Sequence, residues 1–299
     1  MYKRQGHNGG LYWATVGQIA GDHLAKYVKG HSIVAGNTDL RVVPDKDGNP
    51  FGVFADYVNF ADGAADSNDT GFARLLGDSG KNYILGLSGD DTIEAGGGDD
   101  LLSGGSGDDM LLGEAGDDML FDTLGQDEAY GGSGKDTILL QSGVNVAEGQ
   151  ADDDLLVGGF QADELFGGAG DDILMGEGSY SLLSGGDTLT GGTGNDTLMG
   201  GRGADEFVFR PGDGDDIIAG FEREAAVAGR PIVDRDLAAD FLIGVDQIVL
   251  SGFQSVTQGN ARDFVRDTSD GAVFQAEGTQ ITLYGIEADD LSANVFSIV

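Results

Sequence analysis

Cysteine is absent from the 299-residue chain, and proline and basic residues are scarce. The absence of cysteine excludes disulfide bonds, thiolate metal sites and a thiol nucleophile. Only 16 Lys and Arg oppose 52 Asp and Glu, which gives a formal net charge of −36. Such a chain is repelled by nucleic-acid phosphates and by anionic membrane surfaces, because both bind basic faces. No apolar run approaches the roughly 18 residues of a membrane-spanning helix, so we expect neither a nucleic-acid partner nor a transmembrane segment.

Glycine, in contrast, is abundant. It fills 54 positions, about 18% of the chain against roughly 7% in an average protein. Together with the high net charge this content permits disorder, whereas 40% hydrophobic residues favour a buried core. Composition leaves both possibilities open, and the order of the residues decides between them.

The first five residues, Met-Tyr-Lys-Arg-Gln, resemble the translation of a sequencing-library adapter. On that interpretation residues 1–5 are an artefact and the chain is a C-terminal fragment of a longer protein. An ordinary short start is the alternative. Residues 1–10 are polar and lack the apolar segment of a signal peptide.

Residues 6–76 are interpreted as an N-terminal flank or as the tail of an upstream domain. The segment contains His7, His23 and His31, which lack the HExxH spacing of a zinc protease. Ser32 follows Gly30-His31, but no GxSxG motif of a nucleophile elbow occurs in the chain. We therefore expect no catalytic site and no enzymatic activity in this chain.

From residue 77 the sequence repeats every nine residues. Eleven nonapeptides cover residues 77–175 without a gap, a break covers 176–181, and three further nonapeptides end at residue 208. Position four is Gly in 12 of the 14 nonapeptides, and position six is Asp in 12 and Asn in the other two. Position eight is Ile, Leu or Phe in 12. A disordered segment has no reason to keep an apolar residue at one phase, so the period predicts a folded repeat.

Each nonapeptide has the residue types of a tight turn followed by a very short strand. Glycine accepts the positive φ values that tight turns need. The apolar residue at position eight stands between outward-facing neighbours, as in a strand. One nonapeptide cannot bury that side chain alone, so the nonapeptides are predicted to stack into an all-β solenoid.

Stacking brings the position-six carboxylates of successive coils together. Residues 77–208 contain 28 acidic and 3 basic residues, and like charges about 4 Å apart repel by roughly 4 kcal/mol at an effective dielectric near 20. A bound cation would remove this repulsion. Carboxylate and carbonyl oxygens are the ligands that Ca²⁺ prefers, whereas zinc is disfavoured because the repeats contain neither Cys nor His. The alternative, that the aspartates only cap turns, does not explain Asp or Asn at one phase in all 14 nonapeptides.

The nonapeptides match the Gly-Gly-x-Gly-x-Asp-x-apolar-x signature of RTX (repeats-in-toxin) proteins, as in Gly104-Gly-Ser-Gly-Asp-Asp-Met-Leu-Leu112. This resemblance to hemolysin-type calcium-binding repeats implies a right-handed parallel β-roll with two nonapeptides per coil. It also implies multiple Ca²⁺ ions along both edges. Nonapeptides 122–130, 140–148 and 158–166 depart from the signature in their glycines, which implies weaker or empty sites there. The break at 176–181 is expected to bulge out as a loop or to separate two short rolls.

Carried over position by position, the resemblance implies three sets of calcium ligands. By alternate nonapeptides, the position-six residues of one edge are Asn82, Asp100, Asp118, Asp136, Asp154 and Asp172. Those of the other edge are Asp91, Asp109, Asp127, Asn145 and Asp163, and Asp187, Asp196 and Asp205 follow the break. Neighbouring position-five carboxylates are Asp90, Asp99, Asp108, Asp117 and Asp171. The position-four glycines with turn carbonyls are Gly89, Gly98, Gly107, Gly116, Gly134, Gly170 and Gly194.

Residues 209–299 resemble the C-terminal β-structured region of serralysin-type proteases and related RTX proteins. Residues 244–250 and 279–285 alternate apolar and polar residues as strands do. In the family this region caps the roll, and the extreme C-terminus is an uncleaved signal for the type I secretion machinery. The apolar tail after Asn294 is similar to such signals, although family members often have an acidic residue at that place. The alternative is that residues 295–299 are simply a last strand.

These observations predict a secreted, extracellular calcium-binding module. Because Ca²⁺ binding stabilises only the folded state, the repeats would stay loose at low intracellular Ca²⁺ and fold outside the cell. Two alternatives remain open. The chain could be the C-terminal part of a secreted hydrolase (a serralysin-type metalloprotease or a lipase), or part of a surface adhesin, with the active domain upstream in either case.

Overall fold

A computed structural model describes residues 2–5, 11–14, 74–86, 88–177, 185–219 and 246–299. The three histidines, Ser32, most of the break and the segment 222–243 lie outside the described residues. The chain divides into two compact halves, an N-terminal half of residues 1–140 and a C-terminal half of residues 141–299.

In the N-terminal half, strands β3, β5, β7 and β9 form one parallel sheet, and β4, β6, β8 and β10 form a second. Strands β1 and β2 make a separate antiparallel pair. The strands are β1 (Tyr2–Gln5), β2 (Leu11–Ala14), β3 (Arg74–Leu76), β4 (Tyr83–Leu85), β5 (Thr92–Glu94), β6 (Leu101–Ser103), β7 (Met110–Ala115), β8 (Met119–Phe121), β9 (Glu128–Ser133) and β10 (Thr137–Leu139).

In the C-terminal half, one sheet is parallel throughout, in the order β11-β13-β15-β17-β19-β23. The other is parallel over β12-β14-β16-β18-β22 and ends in the antiparallel strands β21 and β20. The strands are β11 (Val146–Ala151), β12 (Leu155–Val157), β13 (Glu164–Ala169), β14 (Ile173–Met175), β15 (Thr188–Thr193), β16 (Thr197–Met199), β17 (Glu206–Phe209), β18 (Asp215–Ile218), β19 (Gln247–Leu250), β20 (Val265–Asp267), β21 (Gly271–Ala276), β22 (Thr279–Tyr284) and β23 (Phe296–Ile298). Three single-turn 3-10 helices cover Ala261–Phe264, Ala288–Asp290 and Ala293–Val295.

The position-eight side chains form the core, as the period predicts. All 14 are 0% exposed, including the small Ala129 and Ala147. Within each parallel sheet of the N-terminal half, paired residues are two nonapeptides apart, for example Ile93 with Leu111. Each coil therefore consists of two nonapeptides, with alternate nonapeptides on opposite sheets. The prediction of an all-β fold built as a parallel β-roll is confirmed.

Position four of the turn keeps a positive φ even where glycine is absent. Asp152 and Gln161, the two exceptions to glycine at this position, have φ values of 77° and 79°. A left-handed backbone costs a residue with a Cβ on the order of 1–2 kcal/mol. The stacking of the coils therefore fixes the turn, and the side chains adapt to it.

The apolar tail of the chain is a strand. β23 is the edge strand of its sheet and pairs in parallel with β19. Phe296 is 1% exposed, and its ring centroid lies 5.8 Å from that of Phe274 in β21. The tail thus belongs to the hydrophobic core of the C-terminal half. Among the described residues, none lies in a helix with the length and hydropathy of a membrane span.

Candidate metal centres

The position-six side chains form hydrogen-bonded ladders within each half. Oδ1 of Asp109 accepts a hydrogen bond of 2.6 Å from the backbone N–H of Asp91, 18 residues earlier. The ladders of the N-terminal half are Asn82-Asp100-Asp118-Asp136 and Asp91-Asp109-Asp127. Those of the C-terminal half are Asp154-Asp172-Asp196-Asp216 and Asn145-Asp163-Asp187-Asp205-Asp246. Alternate nonapeptides therefore share an edge within each half, as predicted.

The second carboxylate oxygen, Oδ2, is buried without a hydrogen-bond partner in most of these aspartates. Burying a polar atom in this way costs about 1–3 kcal/mol, and more if the group is charged. A cation bound at Oδ2 would remove that cost, so the donor set fits a metal ion. The aspartates concerned are Asp100, Asp109, Asp118, Asp163, Asp172, Asp187, Asp196, Asp205 and Asp216.

Where position one is glycine, as in the nonapeptides of Asp109, Asp118 and Asp172, Oδ2 points into a small space beside that glycine. An ideal Cβ on Gly113 would lie 2.5 Å from Oδ2 of Asp118 and 2.6 Å from the carbonyl oxygen of Gly131. Two oxygens thus face one space, which a side chain would fill and which suits a cation with oxygen ligands. The same pair of oxygens recurs beside Gly86, Gly149, Gly167 and Gly176.

The position-one glycines are candidate ligand residues that the sequence analysis did not identify. Their carbonyls face the buried carboxylates, whereas the predicted backbone ligands were the position-four carbonyls. A signal was available, because position one is Gly in 10 of the 14 nonapeptides. Its meaning becomes clear only when the coils are stacked, since the facing carbonyl comes from the nonapeptide two further along.

Burial raises the pKa of most position-six carboxyls. It raises the pKa of Asp100 to about 7, and the neighbouring Asp118 carboxylate adds to this effect. Burial likewise raises the pKa of Asp163 to about 8, with Asp187 and Glu177 contributing repulsion. Without a cation these carboxyls hold protons near neutral pH, and a bound cation would displace them.

The position-five carboxylates form a second ladder, at the surface. Oδ1 of Asp90 accepts a hydrogen bond of 3.0 Å from the backbone N–H of Asp108, and Asp99 forms an ion pair with Lys81. The carboxylates at this position are exposed, and their role as ligands stays a prediction. They are Asp90, Asp99, Asp108, Asp117 and Asp171.

The seven position-four glycines predicted as ligands line up along the coil edges, with φ between 105° and 146°. The carbonyl of Gly89 lies against Gly107, closer than a Cβ would allow, and the carbonyl of Gly98 lies against Gly116 in the same way. Glycine is needed here for both the φ and the close approach. Whether these carbonyls bind calcium stays a prediction for Gly89, Gly98, Gly107, Gly116, Gly134, Gly170 and Gly194.

Two of the departing nonapeptides differ in structure. In 140–148, the side-chain amide of Asn145 donates a hydrogen bond of 3.3 Å to the carbonyl of Gly158. In 158–166, Asp163 keeps a buried Oδ2 without a partner, beside Gly158. In 140–148 the amide of Asn145 is a hydrogen-bond donor to the glycine carbonyl, whereas coils such as that of Asp118 have a carboxylate oxygen facing this carbonyl. The second nonapeptide retains the feature that suits a cation. Weaker or empty sites at these places stay predictions.

The ladders continue past residue 208, the end of the periodic sequence. Oδ1 of Asp216 accepts the N–H of Asp196 at 3.0 Å, and Oδ1 of Asp246 accepts the N–H of Asp205 at 3.0 Å. Asp216 is 1% exposed, and burial raises its pKa to about 7. A buried apolar residue follows each aspartate two positions later, as position eight follows position six in a nonapeptide. These residues are Ile218 and Ile248. Inserted residues separate Asp216 and Asp246 from the periodic segment, so the nine-residue period does not identify them as position-six residues.

The break in the period lies inside a coil. Gly176 has the surroundings of a position-one glycine. A Cβ on Gly176 would meet Oδ2 of Asp187 and the carbonyl of Gly200, so Gly176 and Asp187 belong to the same coil. The backbone N–H of Gly176 also donates to Met199 at 2.8 Å. Dividing the sequence into nonapeptides had instead assigned Gly176 to the break. The inserted residues therefore follow Glu177.

Comparisons with known proteins agree with the repeat. A family model described as the RTX calcium-binding nonapeptide repeat matches four times, at residues 76–111, 112–147, 148–179 and 183–213. Among solved structures, the extracellular lipase LipA from Serratia marcescens is similar, with 21% identity and a TM-score of 0.35 over 73% of this chain. The chain spans 42% of that lipase. No curated protein matches. Residues 76–179 and 183–213 are thus four copies of the RTX calcium-binding nonapeptide repeat, and their buried aspartates fit multiple Ca²⁺ ions.

Proposed function

We propose that the chain is a calcium-binding module of a secreted protein, and that its coils become ordered when Ca²⁺ enters the spaces beside the position-one glycines. The observation that carries this proposal is the repeated, buried Oδ2 without a hydrogen-bond partner, as in Asp118 and Asp187. One such atom is a local defect. A regular series of them, most beside a glycine that leaves room, forms a set of ligand positions.

The residues that would hold the ions are the position-six aspartates, through Oδ2, and the position-one glycines of the next coil on the same edge, through their carbonyls. Bound calcium supplies positive charge, which offsets the repulsion between stacked carboxylates. Since the ions bind the folded coils in preference to the unfolded chain, their concentration sets the stability of the fold. The role proposed for this chain is binding, with catalysis left to other segments of a longer protein.

We further propose that the C-terminal tail is the signal for type I secretion and that the protein acts outside the cell. The apolar sequence after Asn294 and the RTX family of the repeats support this assignment. Low intracellular Ca²⁺ would keep the repeats loose during export. The higher concentration outside would then drive them to fold.

Equilibrium dialysis of the purified full chain against radioactive calcium tests the binding proposal. We expect several ions per chain, with the number reduced in the variant Asp118→Asn. Excess Mg²⁺ should not displace them, because Mg²⁺ demands octahedral geometry and retains its water. Binding of no more than one ion, or full displacement by Mg²⁺, would contradict the proposal.

Export tests the secretion proposal separately. The full chain would be expressed in a bacterium with and without a type I secretion apparatus, beside a chain that ends at residue 290. We expect protein in the medium only for the full chain with the apparatus. Because the tail is also part of the core, Phe296→Ala controls for destabilisation. Equal export of the shortened chain would overturn the signal assignment and leave the calcium proposal intact.

A further inference from the structure

Asp122 occupies position one of nonapeptide 122–130, where ten other nonapeptides have glycine. Position-one glycines such as Gly104 do not have a positive φ, so the backbone accepts a side chain at this position. Asp122 is 0% exposed. A buried carboxylate therefore replaces a residue whose absent side chain leaves room for an ion elsewhere in the roll.

The side chain of Asp122 joins two position-six aspartates of the same edge. Carboxylate oxygens of Asp109, Asp122 and Asp127 lie within 4.8 Å of one another, and all three residues are buried. Calcium binds oxygen at 2.3–2.6 Å, so two oxygens on one ion can be up to about 5.2 Å apart. The three carboxylates are thus close enough to bind one ion without rearranging the coils.

A second observation marks the same point. Asp109 is 2% exposed, and its Oδ2 has no hydrogen-bond partner. Oδ2 of Asp109 and Oδ2 of Asp122 both lie less than 3.0 Å from the place that a Cβ on Gly104 would occupy. The unpartnered oxygen and the added carboxylate therefore face the same space.

Local hydrogen bonds hold Asp122 in this orientation. Its Oδ1 accepts the backbone N–H of Thr123 at 2.5 Å, and its Oδ2 accepts the N–H of Gly105 at 3.0 Å. These two bonds make a capping role for Asp122 a real alternative. Capping does not require a third buried carboxyl group beside Asp109 and Asp127, and three such groups together repel one another unless a cation or protons offset their charge.

We infer that Asp109, Asp122 and Asp127 form a three-carboxylate calcium site, and that it is the tightest site of the roll and the first to fill. This inference rests on the proposed calcium-binding function. It reverses the expectation of a weak site at 122–130. Calcium affinity rises with the number of charged ligands, and this site has three carboxylates where the common pattern has one Asp carboxylate and one glycine carbonyl.

The test is a competition titration of the full chain against a chromophoric calcium chelator, which resolves the tightest class of sites. Asp122→Gly restores the common glycine and keeps the coil. Asp122→Asn removes the charge and keeps one side-chain oxygen, which can still accept the N–H of Thr123. Glu114→Gln removes a charge from an exposed position-two side chain one nonapeptide earlier and serves as the matched control. Far-UV circular dichroism at saturating Ca²⁺ verifies that each variant folds.

We expect both Asp122 variants to weaken the tightest class by about tenfold or more, the factor that about 1.4 kcal/mol produces, and Glu114→Gln to leave it unchanged. Unchanged affinity in Asp122→Asn would overturn the inference and leave capping as the role of Asp122. Equal weakening in Asp122→Asn and Glu114→Gln would overturn it too, because general charge would then explain the effect. If the wild-type chain takes no calcium from the chelator, the proposed function itself fails.

Discussion

The side-chain amide of Asn145 donates a hydrogen bond of 3.3 Å to the carbonyl oxygen of Gly158. In other coils the corresponding glycine carbonyl and the Oδ2 of an aspartate face the same space, as the carbonyl of Gly131 and Oδ2 of Asp118 do beside Gly113. Two acceptors cannot satisfy each other, whereas an amide and a carbonyl can. In the coil of Asn145, a hydrogen bond therefore satisfies the glycine carbonyl that in other coils faces a carboxylate oxygen and would bind a cation.

An asparagine at a position-six aspartate should change stability in opposite directions with and without calcium. In Asp118→Asn, Oδ1 still accepts the N–H of Asp100, and the buried charge is gone. We expect the calcium-free chain to gain about 1–3 kcal/mol in free energy of unfolding. The calcium-loaded chain should lose stability, because one ligand carboxylate is missing. The β signal in far-UV circular dichroism measures the first effect in chelator, and urea unfolding in saturating Ca²⁺ measures the second. Glu114→Gln is the control, and a loss of stability under both conditions would contradict the account.

A methyl group at position one should fill the space intended for the ion. In Gly113→Ala the new Cβ would lie 2.5 Å from Oδ2 of Asp118, and overpacking of this kind costs about 1–3 kcal/mol. We expect lower stability and one calcium ion fewer per chain by isothermal titration calorimetry. Gly259→Ala is the control, since nothing lies within 4 Å of its Cβ position. Full calcium stoichiometry in Gly113→Ala would show that the ions bind elsewhere.

The stability of the calcium-free chain should fall as the pH rises. Burial raises the pKa of Asp100 to about 7 and that of Asp163 to about 8, whereas an unfolded Asp titrates near 3.9. Between about pH 4 and pH 8 the folded state therefore binds more protons than the unfolded state, so the free energy of unfolding decreases with pH.

The β structure of the calcium-stripped chain, measured by far-UV circular dichroism between about pH 5 and pH 8, checks this direction. Saturating Ca²⁺ should abolish the decrease, because calcium and protons compete for the same carboxylates. Calcium binding near neutral pH should release protons, which calorimetry in buffers of different ionisation enthalpy detects. β structure that increases with pH in the calcium-stripped chain would contradict the assignment of buried, protonated carboxyls.

The C-terminal tail should contribute to stability apart from any role in export. Phe296→Ala removes a ring that is 1% exposed and packs against Phe274. Core Phe→Ala substitutions cost about 3–5 kcal/mol, and we expect a loss of that size in the C-terminal half by differential scanning calorimetry. Val299→Ala should be nearly neutral, since Val299 is 71% exposed. Equal effects of the two substitutions would show that β23 is not packed in solution.

The periodic part of the fold could be predicted from the sequence because stacking follows from the period itself. A residue such as Leu111 must recur at one phase to be buried in every coil, and Asp109 must recur to continue a ladder. Insertions shift residues out of the nine-residue period, so the period no longer predicts which residues share a coil. Gly176 and Asp187 belong to one coil although eleven positions separate them, and Asp246 accepts the N–H of Asp205, 41 residues earlier.

The detailed metal environment was less accessible for a different reason. The space beside Gly113 is enclosed by atoms from two nonapeptides, and no single nonapeptide contains it. Asp122 shows the same limit. In the sequence, Asp122 is only a departure from the glycine at position one. Its position beside Asp109 and Asp127 is visible only in the stacked coils. Sequence patterns thus identified the ladder residues, whereas the enclosed spaces required the structure.

The central claim is that calcium drives the repeats to fold, and one measurement tests it most directly. The full chain, stripped of metal by chelator, is titrated with Ca²⁺ while far-UV circular dichroism reports its β structure, and the titration is repeated with Mg²⁺. The account predicts a cooperative gain of β structure with Ca²⁺ and none with Mg²⁺. A chain that is fully β-structured in chelator and unchanged by Ca²⁺ would contradict it, because the aspartate ladder would then be stable without a cation.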